Sequence, residues 1–199
     1  MSISEYKARE LIEDRIKFKL YSAEEHYNRL VSYQKVEGNE FLKTFVSRVK
    51  FQDELECLLT QLIGARDALI FRIKDKLNLQ LKDKDVNLLN VVKKLYKTKN
   101  QRLLCELSSV SQDGFWLDHI IELRNSGIHR KNIPIRKSIT IYENLGSKTT
   151  TSSPWRITFT FEDGQSLELI PYLKESIEKM KLLIGSIMVK EPGLQIEQT

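Results

Sequence analysis

The sequence predicts a mainly α-helical fold: a bundle of four to five helices with a three-stranded antiparallel β-sheet inserted before the C-terminal helix. Three observations lead there. Apolar residues recur at helical spacing over most of residues 4–130. The period changes to alternation after Pro134, and a helical pattern returns after Pro171. The 199 residues suffice for one sizeable core. The expected organisation is a single domain over 1–190, with a helical core at 4–132, a β-meander at 137–170 and a C-terminal helix at 172–189, followed by a disordered tail at 191–199.

The first helix is expected over 4–35, capped by Ser4 and favoured by Glu5 at the positive end of the dipole. Leu11, Ile12, Phe18, Tyr21, Leu30 and Val31 mark its apolar positions. Gly38 and Asn39 end it. A long second helix follows over 40–78, with a broad stripe from Phe41 and Phe45 through Leu55, Leu58, Leu59, Leu62 and Leu69 to Leu77. Gly64 is its weak point. "KDKD" at 82–85 reads as a loop, with Asp85 capping a third helix over 86–97. Residues 101–109 read as a short helix or turn, and Asp113 as the cap of a helix over 114–130.

"KSITIY" and "WRITFTFE" alternate as half-buried strands do. "EDGQ" at 162–165 makes a hairpin turn, "SLELI" returns, and "NLGSKTTTSSP" is a polar, mobile loop. Pro171 opens the last helix, which turns Leu173, Ile177, Met180, Leu183, Ile184 and Met188 inward.

Composition narrows the class. The chain is 41% hydrophobic and 30% charged, as folded globular proteins are. A net charge of +5 is compatible with an anionic partner but does not require one. Cys57 and Cys105 lie in apolar helical contexts and read as buried thiols of a reducing compartment. No apolar run reaches the ~20 residues of a membrane span, and the charged first twenty residues do not fit a signal peptide. A cytoplasmic protein with no membrane association is expected, and no motif calls for a cofactor.

Chemistry concentrates in "LDHIIELRNSGIHRKN", residues 117–132. Arg124 to Tyr142 holds Arg124, Arg130, Lys131, Arg136, Lys137 and His129 with no carboxylate until Glu143. Val86 to Cys105 holds Lys93, Lys94, Lys97, Lys99 and Arg102, also without an acid. Brought together, these windows would suit phosphates; taken singly, they are solvated helix faces. Metal-free scission of a phosphodiester needs a proton carrier near neutral pH, and imidazole is one. It also needs a cation against the phosphoryl oxygens, and guanidinium binds them in a planar fork. RNA supplies its own nucleophile, the ribose 2′-hydroxyl.

Geometry constrains this chemistry. Five positions on an unbroken helix put Arg124 and His129 about 140° apart, whereas Asn125 and His129 are about 40° apart. Either Gly127 releases the backbone from the helix, or a second copy of the chain completes the site across a two-fold axis. The plain alternative pairs Arg124 with Glu122 or Asp118 and leaves His129 as a C-terminal helix cation.

"RNSGIH" resembles the R-x4-6-H motif of the HEPN superfamily, in the form where a polar residue follows the Arg. The resemblance covers roughly residues 4–132. It implies a helical bundle that forms a homodimer with the motif at its interface. It implies a metal-independent endoribonuclease without cofactor, of the kind found in toxin–antitoxin, CRISPR-associated or other antiviral defence systems, with an antitoxin or defence-system protein as partner. Arg124 and His129 would be catalytic, with Asn125 orienting them. Glu122 would support from behind, and Arg130, Lys131, Arg136, Lys137, Lys93, Lys94 and Lys97 would bind RNA. Some members of the superfamily are inactive modules that bind RNA or a protein, and the β-meander lies outside its minimal bundle.

Other candidates carry less. Asp118, Glu122, Asn125 and His129 share a face and read as a polar helix surface before a metal row. His119 and His129 diverge by about 80°. His26 reads as a surface residue, and Glu54, Gln61 and Asp67 as possible partners of Arg124. A ligand-sensing bundle has only the 144–154 loop in its favour. No P-loop, G-x-G-x-x-G, G-x-S-x-G or H-E-x-x-H occurs.

Overall fold

The computed structural model describes residues 3–35, 45–110, 116–129, 142–144, 147–149, 157–160 and 166–194. It is mainly helical. Among the described residues seven α-helices occur: α1 (Glu5–Glu13), α2 (Arg15–Lys35), α3 (Phe45–Lys76), α4 (Leu88–Lys97), α5 (Gln101–Val110), α6 (Trp116–His129) and α7 (Leu169–Lys190). Four short strands, β1 (Tyr142–Asn144), β2 (Ser147–Thr149), β3 (Thr158–Thr160) and β4 (Ser166–Glu168), form two separate antiparallel pairs. None of the described helices is long and apolar enough to cross a membrane.

The helix expected over 4–35 is divided at Asp14, which is extended and serves both neighbours. Its backbone N–H closes α1 on the Glu10 carbonyl. Its carboxylate accepts from the backbone N–H groups of Ile16 (2.9 Å) and Lys17 (3.3 Å), as an N-cap does. Arg72 of α3 grips the same carboxylate, Nη2 donating to Oδ1 at 2.7 Å and Nη1 to Oδ2 at 3.4 Å. Both side chains are largely buried. Burial alone would push the Asp14 carboxyl up, but Arg72 and the two backbone donors outweigh it and hold the group below its ordinary value.

The long helix is present, and Gly64 does not interrupt it. Along α3, Phe51, Leu55, Leu58, Leu59, Leu62, Ile63, Ala65, Leu69, Ile70 and Ile73 are buried. At 100° per residue they cover about 160° of the helix, so one neighbour cannot cover them. α2, α4, α6 and α7 all pack on α3. A continuous core joins them to Leu95, Leu103, Leu107, Leu117, Ile120 and Leu123, and to the inward face of α7 from Leu169 to Ile187. Two helices end with a residue at positive φ: Asn78 after α3 and Lys99 after α4. In each case the next N–H returns to the carbonyl five residues back, Leu79 to Lys74 and Asn100 to Leu95, which is the Schellman arrangement.

Several expectations are corrected. The cap of α4 is Asn87, which accepts from the Asn90 N–H at 2.9 Å; Asp85 instead closes a 3₁₀ turn over Asp83–Asp85. Asp113 and residues 40–44 lie outside the described residues. Among the described residues the strands form two antiparallel pairs; the first expected strand, 137–142, lies outside those residues apart from Tyr142, and so does the expected turn at 162–165. β3 and β4 pair with Phe159 opposite Leu167, as the alternation implied, whereas β1–β2 falls largely within the segment expected to be a mobile loop. α7 begins at Leu169, so Pro171 stands third, where a missing N–H breaks no helix bond. In the tail, Pro192–Leu194 forms a further 3₁₀ turn and buries Leu194 completely. Cys57 is half-buried and Cys105 is exposed, not two core thiols.

Replacing Asp14 by Ala removes a cap and strands a buried guanidinium, so unfolding free energy should fall by about 2–4 kcal/mol at pH 7. The depressed carboxyl contributes stability above its unfolded pKa and loses it as pH falls. The wild-type advantage in denaturant melts should therefore be intact above about pH 4 and shrink below it. A difference independent of pH across that range would show that the charge of Asp14 plays no part.

Candidate functional site

Arg124 and Asn125 lie in the last turns of α6. The helix is held from two sides. Ile120 and Leu123 are fully buried in the core against α3 and α7. At its start, the Tyr172 hydroxyl of α7 donates to the Trp116 carbonyl at 3.0 Å, and the His119 ring lies 6.5 Å from the Tyr172 ring. Burial, with smaller contributions from the charges of Glu175 and then Glu122, pushes the Tyr172 phenol up to about 12. Glu122 is half-buried close enough to Tyr172 to be felt there.

The helix runs without a break through Gly127 to His129. The backbone departure that could have joined Arg124 and His129 within one chain does not occur. Positions 124 and 129 lie about 140° apart around the axis, and positions 125 and 129 about 40° apart. Asn125 is exposed. Arg130, Lys131, Arg136 and Lys137 lie outside the described residues, and so does the side chain of His129.

Arg124 lines a groove of about 800 Å³ between α2, α3 and α6. Arg15 and Lys19 of α2 and Arg66, Arg72 and Lys76 of α3 line it too, against the carboxylates of Asp67 and Asp75. Thr60, Gly64, Ala68 and Phe71 present one side of α3 to it, within about 80° of arc. The Nε of Arg124 is buried and has no hydrogen-bond partner among the described residues. A buried donor left unsatisfied costs about 1–3 kcal/mol, so the fold alone gives no reason to place it there.

The three residues considered as partners of Arg124 are engaged elsewhere. Glu54 accepts from His26 at 2.6 Å and from Arg29, which makes His26 a half-buried contact between α2 and α3, not a plain surface residue. Gln61 accepts from Lys19 Nζ at 2.8 Å, and Asp67 from Arg66 at 2.7 Å. Lys93 and Lys97 line a different cleft, beside Val92, Tyr96 and Leu104 of α4 and α5. Lys94 is on the same helix, half-buried. Among the described residues no group of three or more His, Cys, Asp or Glu side chains is arranged to hold a metal ion.

The acid-free windows at 86–105 and 124–142 do not contain Arg15, Lys19, Arg66, Arg72 or Lys76. Arg66, Arg72 and Lys76 alternate with acids in sequence, Arg15 and Lys19 stand in a short acid-free run over 15–23 with an acid at either end, and the five converge only when α2 packs on α3. The one local sign was Gly64, whose missing Cβ accommodates Lys19: a Cβ there would stand 3.2 Å from Lys19 Cδ and Cε. No protein-family model matches the chain, and no curated protein and no solved structure matches it.

Arg124→Met keeps the apolar stem and removes the unpartnered donor. The variant should be as stable as wild type, or more stable by up to about 2 kcal/mol, in urea titration. A loss above roughly 2 kcal/mol would mean that the guanidinium holds the fold together.

Proposed function

We propose that the chain is a metal-independent endoribonuclease of HEPN type that works as a homodimer, with Arg124, Asn125 and His129 as its reacting set. The observation that carries this reading is the guanidinium of Arg124, half-buried at a positively lined groove with its Nε unmatched. A phosphate oxygen would satisfy that donor and offset the charge that develops on phosphorus. The unbroken course of α6 favours two copies over one, because a two-fold axis beside the end of α6 can bring one chain's imidazole to its partner's guanidinium.

The reaction follows from these groups. The 2′-oxygen of one nucleotide attacks the adjacent phosphorus while an imidazole takes its proton. The bond from phosphorus to the 5′-oxygen breaks, and that oxygen receives a proton from water. The products are a 2′,3′-cyclic phosphate and a 5′-hydroxyl. Asn125, about 40° from position 129 on the helix, is placed to hydrogen-bond the imidazole or the phosphate. Glu122 would act from behind through α6. The basic residues 130, 131, 136 and 137, and Lys93, Lys94 and Lys97 on α4, would hold flanking RNA. An antitoxin or defence-system protein would control such an activity.

Labelled RNA incubated with the full chain in EDTA should yield fragments ending in 2′,3′-cyclic phosphate. His129→Ala should lower the rate by about 10²–10⁴-fold, the contribution of positioned acid–base catalysis. Equal mixing of Arg124→Ala and His129→Ala chains should recover roughly a quarter of wild-type activity, from one intact site in each mixed dimer. Undiminished cleavage by His129→Ala refutes the mechanism. RNA retained without fragments identifies an inactive HEPN module instead.

A further inference from the structure

We infer that the groove between α2, α3 and α6 is a track on which single-stranded RNA lays its phosphates on the way to Arg124; the choice of RNA as the polymer rests on the nuclease reading above.

The charges of the groove divide into held and available groups. Arg66 is tied to Asp67 and Arg72 to Asp14, so both are fixed parts of the wall. Lys19 has a neutral partner, the Gln61 amide, and its charge stays uncompensated by that contact. Arg15 is the first residue of α2. A cation there opposes the helix dipole and costs helix stability, so its place is explained by what it faces and not by the helix it opens. Arg124 adds an Nε donor already out of water and without a partner among the described residues.

Length and aromatic content distinguish a polymer from a small anion. The lining runs along α3 from Thr60 to Lys76, about 24 Å at the helical rise, which spans several nucleotides at roughly 3.4 Å of axial rise each in a stacked strand. Phe71 stands in this lining and is 38% exposed, a large apolar ring among cations. A free phosphate has no use for it, whereas an unpaired base can stack on its face. Duplex RNA keeps its bases inside and would leave the ring uncovered.

Fluorescence anisotropy with the full chain and an eight-nucleotide 2′-O-methyl RNA tests the track, since that probe lacks the hydroxyl needed for cutting. Affinity should fall linearly with the logarithm of salt concentration. Arg15→Gln and Lys19→Gln should each weaken binding several-fold and flatten the slope by roughly 0.7. Phe71→Ala should weaken binding about tenfold with the slope unchanged. Lys179→Gln, an exposed lysine of α7, should change nothing. Gly64→Ala, which keeps every cation but displaces Lys19, should reproduce part of the Lys19 effect. Wild-type affinity and slope in all four groove variants would overturn the track. So would inorganic pyrophosphate binding as tightly as the oligonucleotide and insensitive to Phe71→Ala, which would make the groove a small-anion site. The two proposals fail separately. His129-dependent cleavage with unaffected groove variants removes the track alone, whereas groove-dependent binding without any cleavage removes the nuclease alone.

Discussion

The burial requirement of α3 governs the rest of the molecule. A helix with apolar residues over about 160° of its circumference cannot be satisfied by one neighbour, and here four helices pack on it. α2 makes the most extensive of these contacts. Its register is set where Asp14 ends α1, caps α2 and takes Arg72 of α3. One carboxylate therefore ties three helices, and both the residue that follows it, Arg15, and its partner Arg72 line the basic groove.

The groove is a consequence of that packing. α2 and α6 flank α3, and on the side where α3 carries Thr60, Gly64 and Ala68 its side chains are too short to fill the space. Long cations reach in from all three helices. Some are held by carboxylates and some are not, so the walls are stiff while a net positive field remains. Arg124 is the residue at which this surface meets the RNSGIH element. Its unmatched Nε is a cost to the fold of a kind that functional sites tolerate.

Helical periodicity and the β3–β4 alternation were legible because burial imposes a repeat on the sequence. The long helix and the inward face of the last one followed directly, as did the inversion of period after Pro134. Asp14 was not legible: an aspartate within a helical pattern reads as a surface group, and its partner Arg72 is far away in sequence. Nor was Leu194, since one leucine in a polar tail has no period to reveal its burial. Of the groove, Arg124 was legible from a local motif. Its remaining cations were not, because they come from two segments rich in both signs and share a surface only after folding. The motif also left open how Arg124 and His129 would meet, and the helical course of α6 through Gly127 settles only that the backbone does not turn to join them.

On the reading proposed above, a phosphate oxygen completes the unmatched Arg124 Nε–H. Its most direct measurement is the ¹⁵Nε–¹Hε resonance of Arg124, assigned by its loss in Arg124→Met, during titration with the 2′-O-methyl oligonucleotide. This resonance should move with the binding curve and gain protection from solvent exchange at saturation. A resonance that stays fixed while the oligonucleotide binds would contradict it.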